Sequence, residues 1–130
     1  MTEPLHEILY CSTLAPGLPT DIVGHIVAQA RARNAQEAIT GLLVFDGQRF
    51  CQHVEGPRRN VLRLLNRLEA DARHVDMKVL HEGSISLRRY RRFDMGLAHV
   101  EEREDVAELS RLDGAEALAQ FIALRPRWDI

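Results

Sequence analysis

The chain has 130 residues, enough for one domain burying roughly two thirds of its unfolded surface, and its 45% hydrophobic and 28% charged content is that of an ordinary globular protein. A formal net charge of -2 offers no long-range attraction to nucleic acid or to an anionic membrane. No apolar stretch approaches the ~20 residues of a membrane span, and Met1-Thr2-Glu3-Pro4 has neither the basic lead nor the apolar core of a signal peptide. Cys11 and Cys51 match no metal-ligand spacing and sit inside apolar runs, which points to buried thiols in a reducing, cytoplasmic setting.

In chain order, Glu7–Thr13 is short, apolar and rich in strand formers, and Ala15-Pro16-Gly17 closes it as a turn. A helix then opens at Pro19-Thr20-Asp21, capped by either Thr20 or Asp21. Ile22, Ile26, Ala30 and Arg33 follow at helical spacing to about Arg33 or Asn34. Ala38–Phe45 and Arg49–Glu55 read as strands joined by an Asp46-Gly47 hairpin turn. Gly56-Pro57 starts a second helix with an apolar stripe of Val61, Leu62, Leu64, Leu65 and Leu68, and Asp71-Ala72-Arg73-His74 leaves it. Further strands are expected at Lys78–Glu82 and Phe93–His99. The acidic run Glu101–Glu108 starts a helix on one reading, and Asp113–Leu124 is an amphipathic helix. The order βαββαββ plus a helical tail is an α+β, ferredoxin-like plan, with two helices on one face of a mixed sheet. An isolated helix the length of the last one is marginal in water, so the tail is expected to pack, either on the bare sheet face or on a second subunit.

The motifs of hydrolases, metalloproteases, phosphate loops and dinucleotide folds are missing: the chain has no GxSxG, HExxH, P-loop or GxGxxG. His53 and His74 read as ordinary polar side chains rather than metal ligands. Arg88-Arg89-Tyr90-Arg91-Arg92 is the most basic segment; it reads as a solvated loop, with nucleic-acid stacking as the weaker alternative. Three polar side chains are harder to place. Tyr10 and Gln52 fall in the middle of the first and third strands, which are neighbours in this plan, and both need hydrogen-bond partners once buried. Asn34 closes the first helix. Either the three converge on a slot between two apolar helices, suited to a flat ring with a polar edge, or they form a self-satisfied Tyr–Gln pair and an Asn helix cap.

The stretches LYCSTLAPGL (Leu9–Leu18), RNAQEAITGLLVFDGQRFCQHVEGP (Arg33–Pro57), DARHVD (Asp71–Asp76) and RRYRRFDMGL (Arg88–Leu97) together resemble the BLUF family, sensors of blue light using FAD. The resemblance runs from about Ile8 to Leu97. It implies that Tyr10 is the light-driven electron donor, that Gln52 bridges it to the flavin, and that Asn34 bonds the edge of the flavin ring. Met95 then contacts the glutamine and relays its change. Arg33, Arg73, His74 and Ser12 are implied as further cofactor-binding positions. Two positions depart from the family pattern: Phe93 stands where many members have tryptophan, and Arg33 where asparagine or histidine is frequent.

On this resemblance the chain is a cytoplasmic photoreceptor and not an enzyme, with a flavin-binding region at 1–100 and a helical extension at 101–130. The cofactor is FAD, with FMN or riboflavin as alternatives. Output passes to a protein partner or within a homodimer, with no part for nucleic acid or membrane. The competing reading is a ferredoxin-like interaction module that has lost its flavin and only dimerises.

Overall fold

The computed structural model describes residues 4–90, 96–100 and 103–128. Five strands, β1 (Leu5–Leu14), β2 (Thr40–Phe45), β3 (Arg49–Pro57), β4 (His74–Ile85) and β5 (Gly96–His99), form one sheet in the order β4-β1-β3-β2-β5. All pairings are antiparallel except that of β2 with β5 at the edge. Helices α1 (Ile22–Glu37) and α2 (Arg58–Ala70) pack on one face, and α3 (Arg103–Leu109) and α4 (Gly114–Trp128) follow β5. This is the α+β, ferredoxin-like plan expected from the sequence.

Strand alternation divides the apolar residues between two cores. Ile8, Leu43, Phe45, Phe50 and Val54 meet Val23 and Val27 of α1 and Val61 and Leu64 of α2. On the opposite face Leu9, Cys11, Val44, Cys51 and Leu80 meet Val106 and Leu109 of α3 and Ala117, Phe121 and Leu124 of α4. The tail therefore covers the sheet face that the first two helices leave bare. Phe121 is fully buried, while Leu118 and Ile122 are half-buried.

Two glycines of the expected motifs are required by close packing. A Cβ on Gly41 would lie 2.3 Å from the His53 carbonyl oxygen, and one on Gly56 would lie 2.9 Å from that of Ala38. At the hairpin, Gly47 has φ of 96° while the Asp46 carboxylate accepts the backbone N–H groups of Gln48 and Arg49 at 2.9 and 2.6 Å. Only the glycine needs the positive φ here; the aspartate works through its side chain.

Several local expectations are corrected. Helix α1 runs a turn past Asn34, because Ala35, Gln36 and Glu37 all favour a helix. It ends on Ala38 in the left-handed region, where the backbone carbonyl of Asn34, not its side chain, takes the closing bonds. Neither Thr20 nor Asp21 caps its start through a side chain; backbone turns from Pro19, Thr20 and Asp21 occupy the first amides instead. Strand β4 is far longer than Lys78–Glu82 because it pairs with β1 from Leu5 to Leu14, and His74 begins it. As an edge strand with only Leu80 buried, it carries a weak apolar signal. Of the expected fifth strand, Gly96–His99 is seen, and Phe93 and Met95 lie outside the described residues.

The arginine loop is also tied down rather than simply solvated. Arg88 donates to the Ala38 carbonyl at 2.7 Å and to the Thr40 hydroxyl at 3.0 Å. The backbone amides of Arg89 and Tyr90 donate to the buried Glu55 carboxylate, and Tyr90 is itself buried. The Arg89 side chain reaches Glu7, which is 2% exposed and also bonded to His53.

Burial alone would raise the Glu7 pKa, but hydrogen bonds and charge from His53 and Arg89 outweigh it and hold the carboxyl at about 2, against an ordinary 4.5. A depressed folded-state value stabilises the fold above the unfolded value, and that stabilisation is lost as pH falls through the folded one. The shift corresponds to about 3 kcal/mol between pH ~4.5 and ~2. Urea unfolding at pH 7, 4 and 3 is expected to show a steeper acid loss in the wild type than in Glu7→Gln. Equal slopes would contradict the assignment.

Candidate functional site

The first three strands and first two helices enclose a cavity of about 250 Å³. Its floor is the helix-facing side of β1, β2 and β3, where Tyr10, Leu43, Phe50 and Gln52 project. Ile26, Ala30 and Asn34 of α1 form one wall, Leu64 and Leu68 of α2 the other, and Asp71, Arg73 and His74 close one end. The walls are apolar and the polar groups few and convergent, as in a site for a flat heteroaromatic ring.

Tyr10 and Gln52 are direct partners in the β1–β3 register, so both side chains must leave the sheet on the same face. The Tyr10 hydroxyl donates to Gln52 Oε1 in a buried hydrogen bond. Tyr10 is 3% exposed and Gln52 5%. Burial, reinforced by the nearby Cys51, Asp71 and Cys11, pushes the Tyr10 phenol far above its ordinary pKa, so it holds its proton. Asn34 has no exposed surface and lies on the α1 wall. The structure thus brings Tyr10, Gln52 and Asn34 to one cavity, and the helix-cap alternative for Asn34 is not what is seen.

The other expected site residues divide by position. Arg33 is exposed at the mouth. Arg73 grips Asp71 through Nε at 2.9 Å and Nη2 at 2.6 Å, and donates from Nη1 to Gln29 of α1 at 2.9 Å. It straps the turn after α2 to α1. The Arg73 pairing holds Asp71 below the usual carboxylate range and raises the guanidinium in turn. His74 lines the cavity beside Tyr10, with its ring edge-on at 6.1 Å. Its Nδ1 meets Ser12 Oγ at 2.8 Å, and its Nε2 donates to the Leu68 carbonyl. Ser12 is buried and stands behind His74, not among the lining residues. Met95 lies outside the described residues.

Sequence reasoning missed Gln29, Arg67 and Asp71 as lining residues. Arg67 pairs with Glu37 across the helix ends at 3.0 Å, and its position one turn before the end of α2 was the available signal. Among the described residues no cluster of His, Cys, Asp or Glu could hold a metal ion, and no helix is long and apolar enough to cross a membrane. Both cysteines are buried and free, and burial with its neighbour Cys11 raises the Cys51 thiol pKa well above ordinary.

The family model described as sensors of blue light using FAD matches residues 5–96. A blue light- and temperature-regulated antirepressor of Escherichia coli is 30% identical over 106 residues, 80% of this chain and 26% of that protein. A photoactivated adenylate cyclase subunit of Euglena gracilis is 38% identical over 65 residues, half of this chain and 8% of the cyclase subunit. This chain therefore spans about a quarter or less of those relatives' lengths. Among solved structures, the dark state of the BLUF protein BlrB aligns over 98% of both chains, with a TM-score of 0.81 and 28% identity. Klebsiella pneumoniae BlrP1, solved with FMN and cyclic diGMP, covers 95% of this chain and 36% of its own, with a TM-score of 0.73 and 26% identity.

Proposed function

Since this chain belongs to the BLUF family, the sensors of blue light using FAD, we propose that Tyr10 and Gln52 are its light-driven switch and that α3 and α4 carry the output. The observation that carries the reading is the buried Tyr10–Gln52 hydrogen bond on the floor of a cavity between two helices. A family member binds a flavin, and the cavity suits one. Ile26, Leu64 and Leu68 offer apolar contact to ring faces, Asn34 and Gln52 offer amides to a polar edge, and Arg33, Arg67 and Arg73 are among the lining residues. Arginines there fit the phosphates of FAD, the family's named cofactor, or of FMN, better than phosphate-free riboflavin.

When bound, the flavin supplies absorption of blue light and a ring that accepts an electron and a proton. Tyr10 would give both and take both back through Gln52, and its O–H already points at Gln52 Oε1. Gln52 thus begins with its carbonyl towards Tyr10 and its NH₂ directed elsewhere. Rotation of the amide, or a proton shift from nitrogen to oxygen, exchanges its donor and acceptor ends. Two such patterns differ by about one hydrogen bond, roughly 1 kcal/mol, which makes the amide a bistable element. Asn34, held by α1, and the His74–Ser12 pair keep fixed polar partners around the switch.

Met95 is assigned the relay of this change into β5. Residues 1–100 are assigned as the sensor and 101–130 as its output extension, acting in the cytoplasm on a protein partner or a second copy of the chain rather than catalysing a reaction. Denaturing the purified protein should release about one flavin per chain, and chromatography of the released flavin should identify FAD. Soluble protein that stays colourless after reconstitution with FAD and FMN would refute the reading and favour an interaction module.

A further inference from the structure

A chain of buried polar groups crosses the sheet face opposite the cavity. His53 follows Gln52 directly, so strand alternation puts the switch amide on one face and an imidazole on the other, through a shared peptide. His53 has no exposed surface. Its Nε2 meets Glu7 Oε1 at 2.8 Å, and its Nδ1 meets the Tyr90 hydroxyl at 2.8 Å. Glu7, ionised at neutral pH, can only accept, so Nε2 carries a proton, while the Tyr90 hydroxyl can give or take one. His81 of β4 and Arg89 also face Glu7, at 3.4 and 3.2 Å.

Helix α4 touches this chain twice. Phe121 packs edge-on against the His53 ring, with centroids 5.5 Å apart at 73°. The Arg125 guanidinium sits 4.5 Å from the centre of the Tyr90 ring. Tyr90 also holds the end of the described β4–β5 connection, through its backbone N–H, which donates to Glu55 Oε1 at 2.9 Å. A polar chain within a closely packed apolar core has few alternative arrangements, and a partly broken one is costly.

From this arrangement we infer that His53 is a positioning residue that couples the Gln52 strand to α4, so that a rearranged Gln52 changes how Phe121 and Arg125 seat on the His53–Tyr90 pair. The inference rests on the light-switch reading for its trigger, but the coupling across the sheet is a property of the protein in the dark as well. It places a route to the tail on β3 itself, besides the one assigned to Met95 and β5.

The test uses the full-length, flavin-loaded chain. In the dark, Gln52→Ala should shift the His53 ring ¹⁵N and Phe121 ring ¹H resonances, although Gln52 faces the other side of the sheet. Under blue light, the wild type should change its hydrogen exchange in α4. Tyr90→Phe keeps the ring under Arg125 but deletes the hydroxyl; it should retain the full spectral shift while the α4 exchange difference is lost. His53→Gln, which keeps a polar side chain of smaller size, should behave likewise. Unmoved His53 and Phe121 resonances in Gln52→Ala, or an undiminished α4 response in both variants, would overturn the inference. A wild type without any spectral shift would instead defeat the light-switch reading, and the dark arm would still decide the coupling.

Discussion

Tyr10→Phe and Gln52→Leu should each bind flavin at about one per chain and lose the reversible light-induced spectral shift altogether. The two side chains are register partners on one sheet face, both almost fully buried, and their mutual bond is the proposed switch. Phenylalanine fills the ring space of Tyr10 but supplies neither an ionisable proton nor a donor to Gln52. Leucine approximates the volume of Gln52 but has no donor and acceptor ends to exchange. Neither change alters the apolar walls at Ile26, Leu64 and Leu68. Binding should therefore weaken little, while the photochemical response vanishes. A complete, reversible shift in Tyr10→Phe would move the donor role to another residue.

The second large effect is on stability. Phe121→Ala should cost about 3–5 kcal/mol, the usual range for deleting a buried aromatic ring. Phe121 has no exposed surface and packs with Leu109 and Ala117 against strand residues such as Leu9, Cys51 and Leu80. It also seals the His53 ring from solvent on one side. The tail is thus part of the folded core, and ending the chain after Val100 should promote aggregation as well as lower solubility. Chemical denaturation of Phe121→Ala measures the effect. A loss below about 0.5 kcal/mol, the range of a surface substitution, would show that α4 docks only loosely.

The site was legible as far as strand periodicity reached. Tyr10 and Gln52 were placed at the middles of neighbouring strands, and the observed register, which makes them direct partners, puts both on one face. Asn34 was placed in the right region but on the wrong structural footing. Whether α1 stopped at Asn34 or ran to Glu37 depended on the helix-favouring run Ala35-Gln36-Glu37, which ends only on a left-handed Ala38. The Glu7–His53–Tyr90 chain was not legible at all. His53 read as an ordinary polar side chain and Tyr90 as part of a solvated loop, and Phe121, which packs on the His53 ring, lies some seventy residues later in the sequence. Arg67 and Asp71 were not singled out as site residues: they line the cavity from the end of α2 and the turn after it, a place that only the packed structure makes part of the site.

The central claim is that a buried Tyr–Gln pair beside a bound flavin answers blue light by exchanging hydrogen bonds. The most direct measurement is the absorption spectrum of the flavin-loaded protein in the dark, after blue illumination, and again after return to the dark. The account expects a flavin spectrum that shifts under illumination and returns completely in darkness. A flavin spectrum that blue light leaves unmoved, or one that only bleaches without recovery, would contradict it.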